Sequence, residues 1–272
     1  MERTVLITGC SSGIGRATAE AFLDEGWTVV ATARDESAIR DLGDRGALTR
    51  TLDVTKPAQC QSVVAEVIEE NGGLDCLVNN AGYAQFGPTE DVPTRLVEDQ
   101  FDVNVLGPHR LIRAALPHMR EAERGTIVNV SSVSGRLSAP GMGVYSSSKA
   151  ALESMSDALR VEASAFDVDV VLVEPGPVET QFDDTAQSSL SDLDRTEAYG
   201  DIYRTLEDWE TVGSMSSIPA WQVASVILEA GVSTDPQTRY TVGTGSEYLT
   251  LARFLPDSFR DAVFSLIRGL AG

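Results

Sequence analysis

Apolar runs alternate with amphipathic stretches along most of the 272-residue chain. The runs are short, rich in β-branched residues and apolar on both faces, which predicts buried parallel strands. Strands are predicted in this way at residues 4–9, 28–33, 47–55 (a weaker run), 74–82, 125–132, 168–176 and 238–243. The amphipathic stretches predict helices at 13–25, 35–42, 57–71, 93–106, 108–122, 143–166 and 220–231. This alternation predicts an α/β fold with a Rossmann-type, doubly wound parallel β-sheet flanked by helices.

Two later segments differ from this pattern. Residues 181–216 are polar and acidic with interspersed aromatic residues, which indicates helices or a lid covering a substrate site, and not core. Residues 246–269 have a helical pattern, so we expect 246–272 to form a C-terminal helical tail. Neither a repeat nor a linker interrupts the chain, and 42% hydrophobic content suffices for a large core. We therefore expect residues 1–272 to form a single domain.

The charge balance is strongly acidic, with 41 acidic and 21 basic residues and a formal net charge of -20. Nucleic acid is disfavoured as a partner because binding phosphates requires a concentrated basic face. All basic residues except Lys56 and Lys149 are arginines, a pattern that resembles cytosolic proteins of extreme halophiles. At about 1 M salt the Debye length falls to roughly 3 Å, so repulsion among carboxylates is screened. The alternative is an acidic enzyme of an ordinary mesophile.

The cysteines and apolar runs indicate a cytoplasmic protein. No run approaches the roughly 18 apolar residues that a membrane helix needs, and the first residues lack the pattern of a secretory signal. The three cysteines, Cys10, Cys60 and Cys76, lie in apolar surroundings without CxxC spacing, which favours reduced buried thiols. With only two histidines, His109 and His118, we expect no metal site.

The first chemical motif is TGCSSGIG at residues 8–15, between the first strand and the first helix. Gly9, Gly13 and Gly15 would allow a tight turn and a close backbone approach, so that the helix N-terminus faces a pyrophosphate. Glycines in such a turn can also serve conformation alone. The spacing is GxxxGxG, which differs from the commonest dinucleotide-binding pattern, GxGxxG.

Further motifs give the chain a family resemblance. NNAG stands at 79–82 and YSSSK at 145–149, while Asp53 lies in LDVT, Asn104 in FDVNVLG and Ser132 in IVNVSSVSG. PGPVET follows at 175–180. Together with the glycine motif, these residues resemble the short-chain dehydrogenase/reductase family in its shorter, single-domain branch. The resemblance covers about residues 3–245 and implies an NAD(P)-dependent oxidoreductase that interconverts an alcohol and a ketone or aldehyde.

The resemblance assigns catalysis to Asn104, Ser132, Tyr145 and Lys149. Residues four apart on a helix share a face, so Tyr145 and Lys149 should point into one cleft, where an ammonium favours the ionised phenol. By resemblance, Tyr145 exchanges a proton with the substrate oxygen, Lys149 binds the nicotinamide ribose, Ser132 binds the carbonyl oxygen and Asn104 holds a water. An isolated YxxxK pair would otherwise be read as a solvated helix face.

The same resemblance assigns the cofactor contacts. They are Gly9, Ser11, Ser12, Gly13, Ile14, Gly15, Arg34, Asp53, Val54, Asn80, Ala81, Gly82, Tyr145, Lys149, Pro175, Gly176, Val178 and Thr180. Asp53 could instead only cap the next helix, and Asn79 could be structural. NAD-specific relatives carry an acidic residue where this chain has Ala33, and Arg34 next to it suits a 2′-phosphate. We therefore predict a preference for NADP(H), with NAD(H) as a second cofactor; the alternative is that Arg34 is only a surface charge.

The substrate and the quaternary structure are less defined. Six residues around the expected cleft could form an apolar or mixed pocket: Tyr83, Phe86, Leu137, Gly141, Met142 and Phe182. A lipophilic or bulky small-molecule ketone is weakly favoured. Apolar faces near 108–122 and 143–166 predict a homodimer or homotetramer. Two other functions are weighed: a non-catalytic redox sensor, which would not need the proton-transfer residues, and an epimerase or dehydratase of the family's longer branch, against which the glycine spacing argues.

Overall fold

Seven parallel strands form one sheet. The computed structural model describes residues 3–180, 182–207, 217–243, 246 and 254–270. The strands of the sheet are β1 (Thr4–Ile7), β2 (Thr28–Ala33), β3 (Leu48–Thr51), β4 (Cys76–Asn79), β5 (Gly125–Val130), β6 (Val168–Pro175) and β9 (Arg239–Val242), and they lie in the order β3-β2-β1-β4-β5-β6-β9. Two short strands, β7 (Val178–Glu179) and β8 (Ile218–Pro219), pair separately and were not predicted. The predicted doubly wound parallel sheet is confirmed.

Helices cover both faces of the sheet. They are α1 (Gly13–Asp24), α2 (Arg40–Asp44), α3 (Pro57–Asn71), α4 (Thr94–Phe101), α5 (Gly107–Ala122), α6 (Gly143–Ala163), α7 (Phe182–Ser191), α8 (Gly200–Glu207), α9 (Ala220–Val232) and α10 (Asp257–Leu270). Successive side chains of a strand point to opposite faces. Accordingly, Val5 and Ile7 of β1 pack with Phe22 of α1, whereas Leu6 packs with Leu111 of α5. Burial on both faces explains why the strand segments are apolar without alternation.

The helical segments differ from the predicted ones in two places. The 35–42 segment forms a 3₁₀ turn, Glu36–Ile39, followed by α2, because the Asp35 carboxylate accepts a hydrogen bond from the backbone N of Ser37 and caps the turn. The predicted break between 93–106 and 108–122 is bridged by a π-helical turn, Asp102–Leu106, that joins α4 to α5. Pro108 lies in the first turn of α5, directly after this π-helical turn.

The acidic segment at 181–216 forms helices α7 and α8, as predicted, but it also contributes to the core, which was not expected. Leu190 of α7 and Leu206 of α8 are fully buried and belong to an apolar cluster with Phe86. The Tyr203 hydroxyl of α8 donates to a carboxylate oxygen of Asp91 at 2.7 Å and fastens this segment to the loop after β4. Because most residues of this segment are polar, its few large apolar residues did not produce a core-like pattern in the sequence. Residues 208–216 of the predicted lid, and 247–253 of the predicted tail, lie outside the described residues.

The cysteines are free and buried, as predicted. Burial raises the pKa of Cys10 to about 12, so this thiol stays protonated. Across the described ranges, no group of three or more His, Cys, Asp or Glu side chains could hold a metal ion. None of the helices in those ranges is long and apolar enough to cross a membrane.

Candidate active site

A cavity of about 1230 Å³ opens at the carboxyl ends of the parallel strands. From β1 the chain continues through β2 and β3 toward one edge of the sheet, and then from β4 through β5 and β6 toward the other edge. Open α/β sheets bind ligands at such a switch point, here between β1 and β4. The predicted site residues that line the cavity are Gly9, Ser11, Ser12, Gly13, Ile14, Arg34, Asp53, Val54, Asn80, Ala81, Gly82, Ser132, Tyr145, Lys149, Pro175, Gly176, Val178 and Thr180. Two predicted site residues, Gly15 and Asn104, lie behind this lining.

The glycine motif forms a tight turn between β1 and α1. Gly9 and Gly13 have φ angles of 74° and 56°, in the left-handed region that favours glycine. A Cβ on Gly13 would lie 2.9 Å from Cγ2 of Thr180, and a Cβ on Gly15 would lie 2.3 Å from the carbonyl oxygen of Gly9. The glycines thus let the turn approach both the loop after β6 and its own start, which leaves the N-terminus of α1 facing the cavity.

Thr8 holds the glycine turn against the end of β4, a role that the sequence analysis missed. Its hydroxyl oxygen accepts hydrogen bonds from the backbone N atoms of Asn80 and Ala81, both at 3.0 Å. The Asn80 side-chain amide donates in turn to the carbonyl oxygens of Thr8, at 2.9 Å, and of Gly9, at 3.3 Å. The side chain of Asn80 therefore shapes the turn. Asn79 is also structural, since its amide donates to Asn129 at 2.8 Å.

The end of the cavity near β2 and β3 carries charged groups. Arg34 follows directly after β2 and is exposed, while Ala33 is buried. One carboxylate oxygen of Asp53 accepts hydrogen bonds from the backbone N and the hydroxyl of Thr55, at 2.9 and 2.7 Å. Burial acts to raise the pKa of Asp53, but these bonds and the charges of Lys56 and Arg34 leave it below its usual value. Asp53 is thus an ionised acceptor that caps its own turn and lines the cavity.

Tyr145 and Lys149 both point from α6 into the cavity, as the i, i+4 spacing predicts. The buried ring of Tyr145 lies between Phe86 and Phe182, with ring centroids 6.4 and 5.7 Å away. The Nζ of Lys149 lies 5.9 Å from the centre of the Tyr145 ring and donates to the carbonyl oxygen of Val130 at 2.9 Å. This pair is enclosed and is not a solvated helix face.

Burial lowers the pKa of Lys149 to about 8, and the negative charge of Glu153 opposes that shift. The ammonium of Lys149 is therefore the main form at neutral pH, but it can lose its proton within the range in which enzymes are assayed. A cation at this place stabilises a developing phenolate on Tyr145.

Ser132 lies beside this pair at the end of β5. Its Oγ accepts a hydrogen bond from the backbone N of Ser134 at 3.1 Å and donates to the carbonyl oxygen of Pro175 over a long 3.5 Å. Such a weak donor bond is easily replaced by one to a stronger acceptor in the cavity. The hydroxyl hydrogen of Ser132 can therefore turn to a substrate oxygen.

The π-helical turn positions Asn104 behind the cavity. The Asn104 amide donates to the carbonyl oxygen of Tyr83 at 3.0 Å and to the Ser148 hydroxyl at 3.1 Å, and its Oδ1 accepts from the backbone N of Tyr83 at 3.2 Å. A Cβ on Gly82 would lie 3.0 Å from this Oδ1 and 3.6 Å from the Nζ of Lys149. Asn104 and Lys149 thus flank Gly82.

The residues fit a dinucleotide. Ser12 begins α1 without a side-chain capping bond, so the N–H groups of the first turn remain directed at the cavity, where a phosphate is favoured. The glycine turn adds a cradle that side chains would fill, and Arg34, Asp53 and Lys149 supply donors and acceptors along its length. The fold and the cavity define a Rossmann-type dinucleotide-binding protein.

Comparison with known proteins identifies the family. A family model described as short chain dehydrogenase matches residues 3–190. The chain is 33% identical to the uncharacterized oxidoreductase YbbO of Escherichia coli strain K12 over 97% of this chain and 94% of that protein. It is 34% identical to the NADPH-dependent 3-dehydrocapnine reductase of Ornithobacterium rhinotracheale over 96% of each chain. It is also 38% identical to the 3-ketodihydrosphingosine reductase of Bacteroides thetaiotaomicron over 73% of this chain and 72% of that protein.

Solved structures agree with this assignment. A short-chain dehydrogenase of Streptomyces avermitilis superposes with a TM-score of 0.82 at 33% identity over 99% of this chain and 98% of that chain. A Burkholderia phymatum enzyme in complex with NAD gives a TM-score of 0.76 at 28% identity over 88% of each chain. A metagenomic short-chain oxidoreductase in complex with NADP gives 0.70 at 26% identity, over 88% and 96%. The chain therefore belongs to the short-chain dehydrogenase family of NAD(P)-dependent oxidoreductases.

Proposed function

We propose that the protein is an NADPH-preferring reductase of apolar ketones or aldehydes, with Tyr145 as the proton donor. The observation that carries the proposal is the enclosed arrangement of Ser132, Tyr145 and Lys149 on one cavity. The names of two relatives, which are reductases of a 3-dehydro and a 3-keto compound, support reduction as the direction of the reaction. A redox sensor would not need this proton-transfer set.

A nicotinamide cofactor held against Tyr145 and Lys149 would supply the hydride for the carbonyl carbon. The residues of this chain handle the oxygen: Ser132 donates a hydrogen bond to it, and Tyr145 transfers its phenolic proton to it as negative charge develops. The ammonium of Lys149 stabilises the phenolate that remains on Tyr145. Asn104 holds the Tyr83 backbone and, next to Gly82, lies where a water could connect Lys149 to solvent.

Apolar side chains favour a substrate without charge. The described residues around Tyr145 at the substrate end of the cavity are mainly apolar: Phe86, Leu137, Ala139, Met142, Phe182, Ile202, Leu206 and Phe264. Two acidic residues, Asp99 and Asp102, also line the cavity; with burial, their charges raise the pKa of Tyr83, and Arg34 opposes that shift. An unpaired charge would be costly to bury among the apolar side chains around Tyr145. Gly141, a predicted pocket residue, lines a smaller neighbouring cavity with Phe264.

A matched pair of substrates tests this function. NADPH oxidation, followed by absorbance, is expected with 2-decanone, and kcat/KM should be at least about tenfold lower with 9-oxodecanoate, which has the same chain length and a terminal carboxylate. Equal rates with both compounds would contradict the apolar substrate class. Failure to oxidise NADPH with any ketone or aldehyde of a broader panel would contradict the proposed reduction itself.

We also propose that the protein is adapted to high salt in the cytoplasm of a halophile, as its net charge of -20 suggests. Raising KCl from 0.1 to 2 M is expected to raise the melting temperature by several degrees, because each kcal/mol of relieved repulsion adds about 2–4 °C at this size. Sucrose of equal osmolality leaves charges unscreened and should have a smaller effect. A melting temperature that does not respond to KCl would contradict this adaptation.

A homodimer or homotetramer remains our proposal for the quaternary structure. Three large apolar side chains near α5 and α6 are well exposed: Leu106, Val161 and Phe166, at 45%, 73% and 39%. Association would cover them. Light scattering of the purified protein measures its molar mass, and a monomer mass at assay concentration would contradict the proposal.

A further inference from the structure

A cluster of ion pairs lies under the active site. This buried ion cluster consists of Arg136, Glu153, Glu174 and Arg239, with Asp157 at its edge. The Nε of Arg136 lies 2.8 Å from a Glu153 oxygen and 3.0 Å from a Glu174 oxygen. Arg239 pairs with the same two glutamates and with both oxygens of Asp157. The cluster therefore joins the loop after β5, helix α6, strand β6 and strand β9.

The two glutamates of the cluster are almost fully enclosed. Their side chains are 5% exposed for Glu153 and 1% for Glu174. Packing around Glu153 is tight, since a Cβ on Gly135 would lie 2.4 Å from its Oε1. Buried ion pairs are often no more stabilising than apolar residues of similar volume. Stability alone therefore does not account for the cluster.

Both glutamates of the cluster adjoin residues of the proposed site. The hydroxyl of Ser131, the neighbour of Ser132, donates to Oε1 of Glu153 at 2.9 Å. Glu153 lies one helical turn after Lys149 on α6. Glu174 directly precedes Pro175, at the end of β6. The cluster thus links the supports of Ser132, Lys149 and the loop after β6.

We propose that Glu153 is a positioning residue for the reaction: through Ser131 it fixes the strand end that carries Ser132, and from one helical turn away its carboxylate acts on the ammonium of Lys149 beside Tyr145. This inference rests on the proposed function, which assigns the proton transfer to those residues. Glu153 itself does not line the cavity.

The charges around the two groups set the direction of the effect. Lys149 faces Tyr145 and Glu153 on its own helix, while Glu153 faces Arg136 from the loop after β5, Glu174 from β6 and Arg239 from β9. Burial and the charge of Glu174 raise the pKa of Glu153, while Ser131, Arg136 and Arg239 oppose that shift, so the test extends from pH 7 to alkaline pH, where ionisation of this carboxyl increases. Loss of its charge lowers the pKa of Lys149 further, and Lys149 then loses its proton at lower pH.

The test compares the parent with Glu153→Gln, which keeps the size of the side chain. We expect kcat for ketone reduction at pH 7 to fall about tenfold or more, with the Kd of NADPH changed by less than about threefold. The loss of kcat toward alkaline pH should begin at least about half a pH unit lower. The Kd of NADPH, measured by fluorescence, should weaken at the same lower pH because Lys149 is proposed to bind the ribose.

Asp157→Asn is the matched control. It removes a carboxylate from the same cluster, but one turn farther from Lys149. The fall of kcat toward alkaline pH, called here the alkaline limb, should therefore begin at the same pH as in the parent. If Glu153→Gln has the parent's kcat, or if both variants lower kcat without moving the alkaline limb, the positioning role is refuted. Should the parent not reduce ketones, the proposed function is wrong, and the pH dependence of NADPH binding still decides whether Glu153 acts on Lys149.

Ser131→Ala covers the case in which Glu153→Gln does not melt cooperatively. This variant keeps every charge of the cluster and removes only the hydrogen bond to Glu153. We expect kcat to fall about threefold or more while the alkaline limb stays where it is in the parent. A parent-like kcat in Ser131→Ala would refute the link from Glu153 to Ser132.

Discussion

Replacement of Tyr145 by phenylalanine is expected to lower kcat for ketone reduction by about 10²- to 10⁴-fold, the usual contribution of a positioned general acid. The substitution removes the phenolic proton and leaves the ring, which packs between Phe86 and Phe182. The fold and the cofactor contacts should therefore persist. Steady-state kinetics with 2-decanone, together with the Kd of NADPH from fluorescence, measure both effects.

Two further variants separate the roles around Tyr145. Tyr240→Phe makes the same chemical change on β9, where the hydroxyl of Tyr240 accepts a bond from the backbone N of Gln237 and does not line the cavity, and this variant should keep the parent's kcat. Lys149→Met should lower kcat and also weaken NADPH binding, because it removes the ammonium that stabilises the Tyr145 phenolate and is proposed to bind the nicotinamide ribose. If Tyr145→Phe retained most of the parent's kcat, the proton would come from another group and the proposed mechanism would be wrong.

The sheet could be predicted from the sequence because its strands are buried on both faces. Runs such as Val5 to Ile7 contain no polar position, and that pattern combined with intervening helices permits few other folds. The ends of elements were less accurate. A break was predicted at residue 107, since Pro108 commonly marks the start of a new helix, whereas the π-helical turn at Asp102–Leu106 joins α4 directly to α5.

The candidate site was predictable where its residues form local motifs. Tyr145 and Lys149 are four residues apart on one helix, and the structure brings them onto one cavity with Ser132. Thr8 was missed because its role depends on the approach of β4 to β1, which the local sequence does not report.

The buried ion cluster was missed for the same reason. Arg136 and Glu174 are 38 residues apart, and Arg239 and Glu153 are 86 apart. Glu174 falls in a predicted buried strand, but in a chain with so many charged residues the sequence does not indicate which arginines pair with it or with Glu153. Only the order of the strands, which places β9 beside β6, brings the charges together.

The preference for NADP(H) is expected to reverse in the double variant Ala33→Asp/Arg34→Ala. Arg34 is exposed on the cavity at the end of β2, and the neighbouring Asp35 has its carboxylate directed to the backbone N of Ser37. A charge-assisted hydrogen bond from Arg34 to the 2′-phosphate would contribute about 1.5–3 kcal/mol, or roughly 10- to 100-fold in affinity. Molar salt would lower this value, so all measurements need one salt concentration.

The aspartate at position 33 adds discrimination against the phosphate. Its carboxylate would repel a 2′-phosphate and accept a hydrogen bond from the 2′-hydroxyl of NAD(H), while loss of the Arg34 side chain removes the attraction. The ratio of kcat/KM for NADPH to that for NADH should therefore fall below one in the double variant. Arg40→Ala, which removes an exposed arginine outside the cavity lining, is the control and should keep the parent's ratio. A parent enzyme that uses NADH at least as well as NADPH would show that Arg34 serves only as a surface charge.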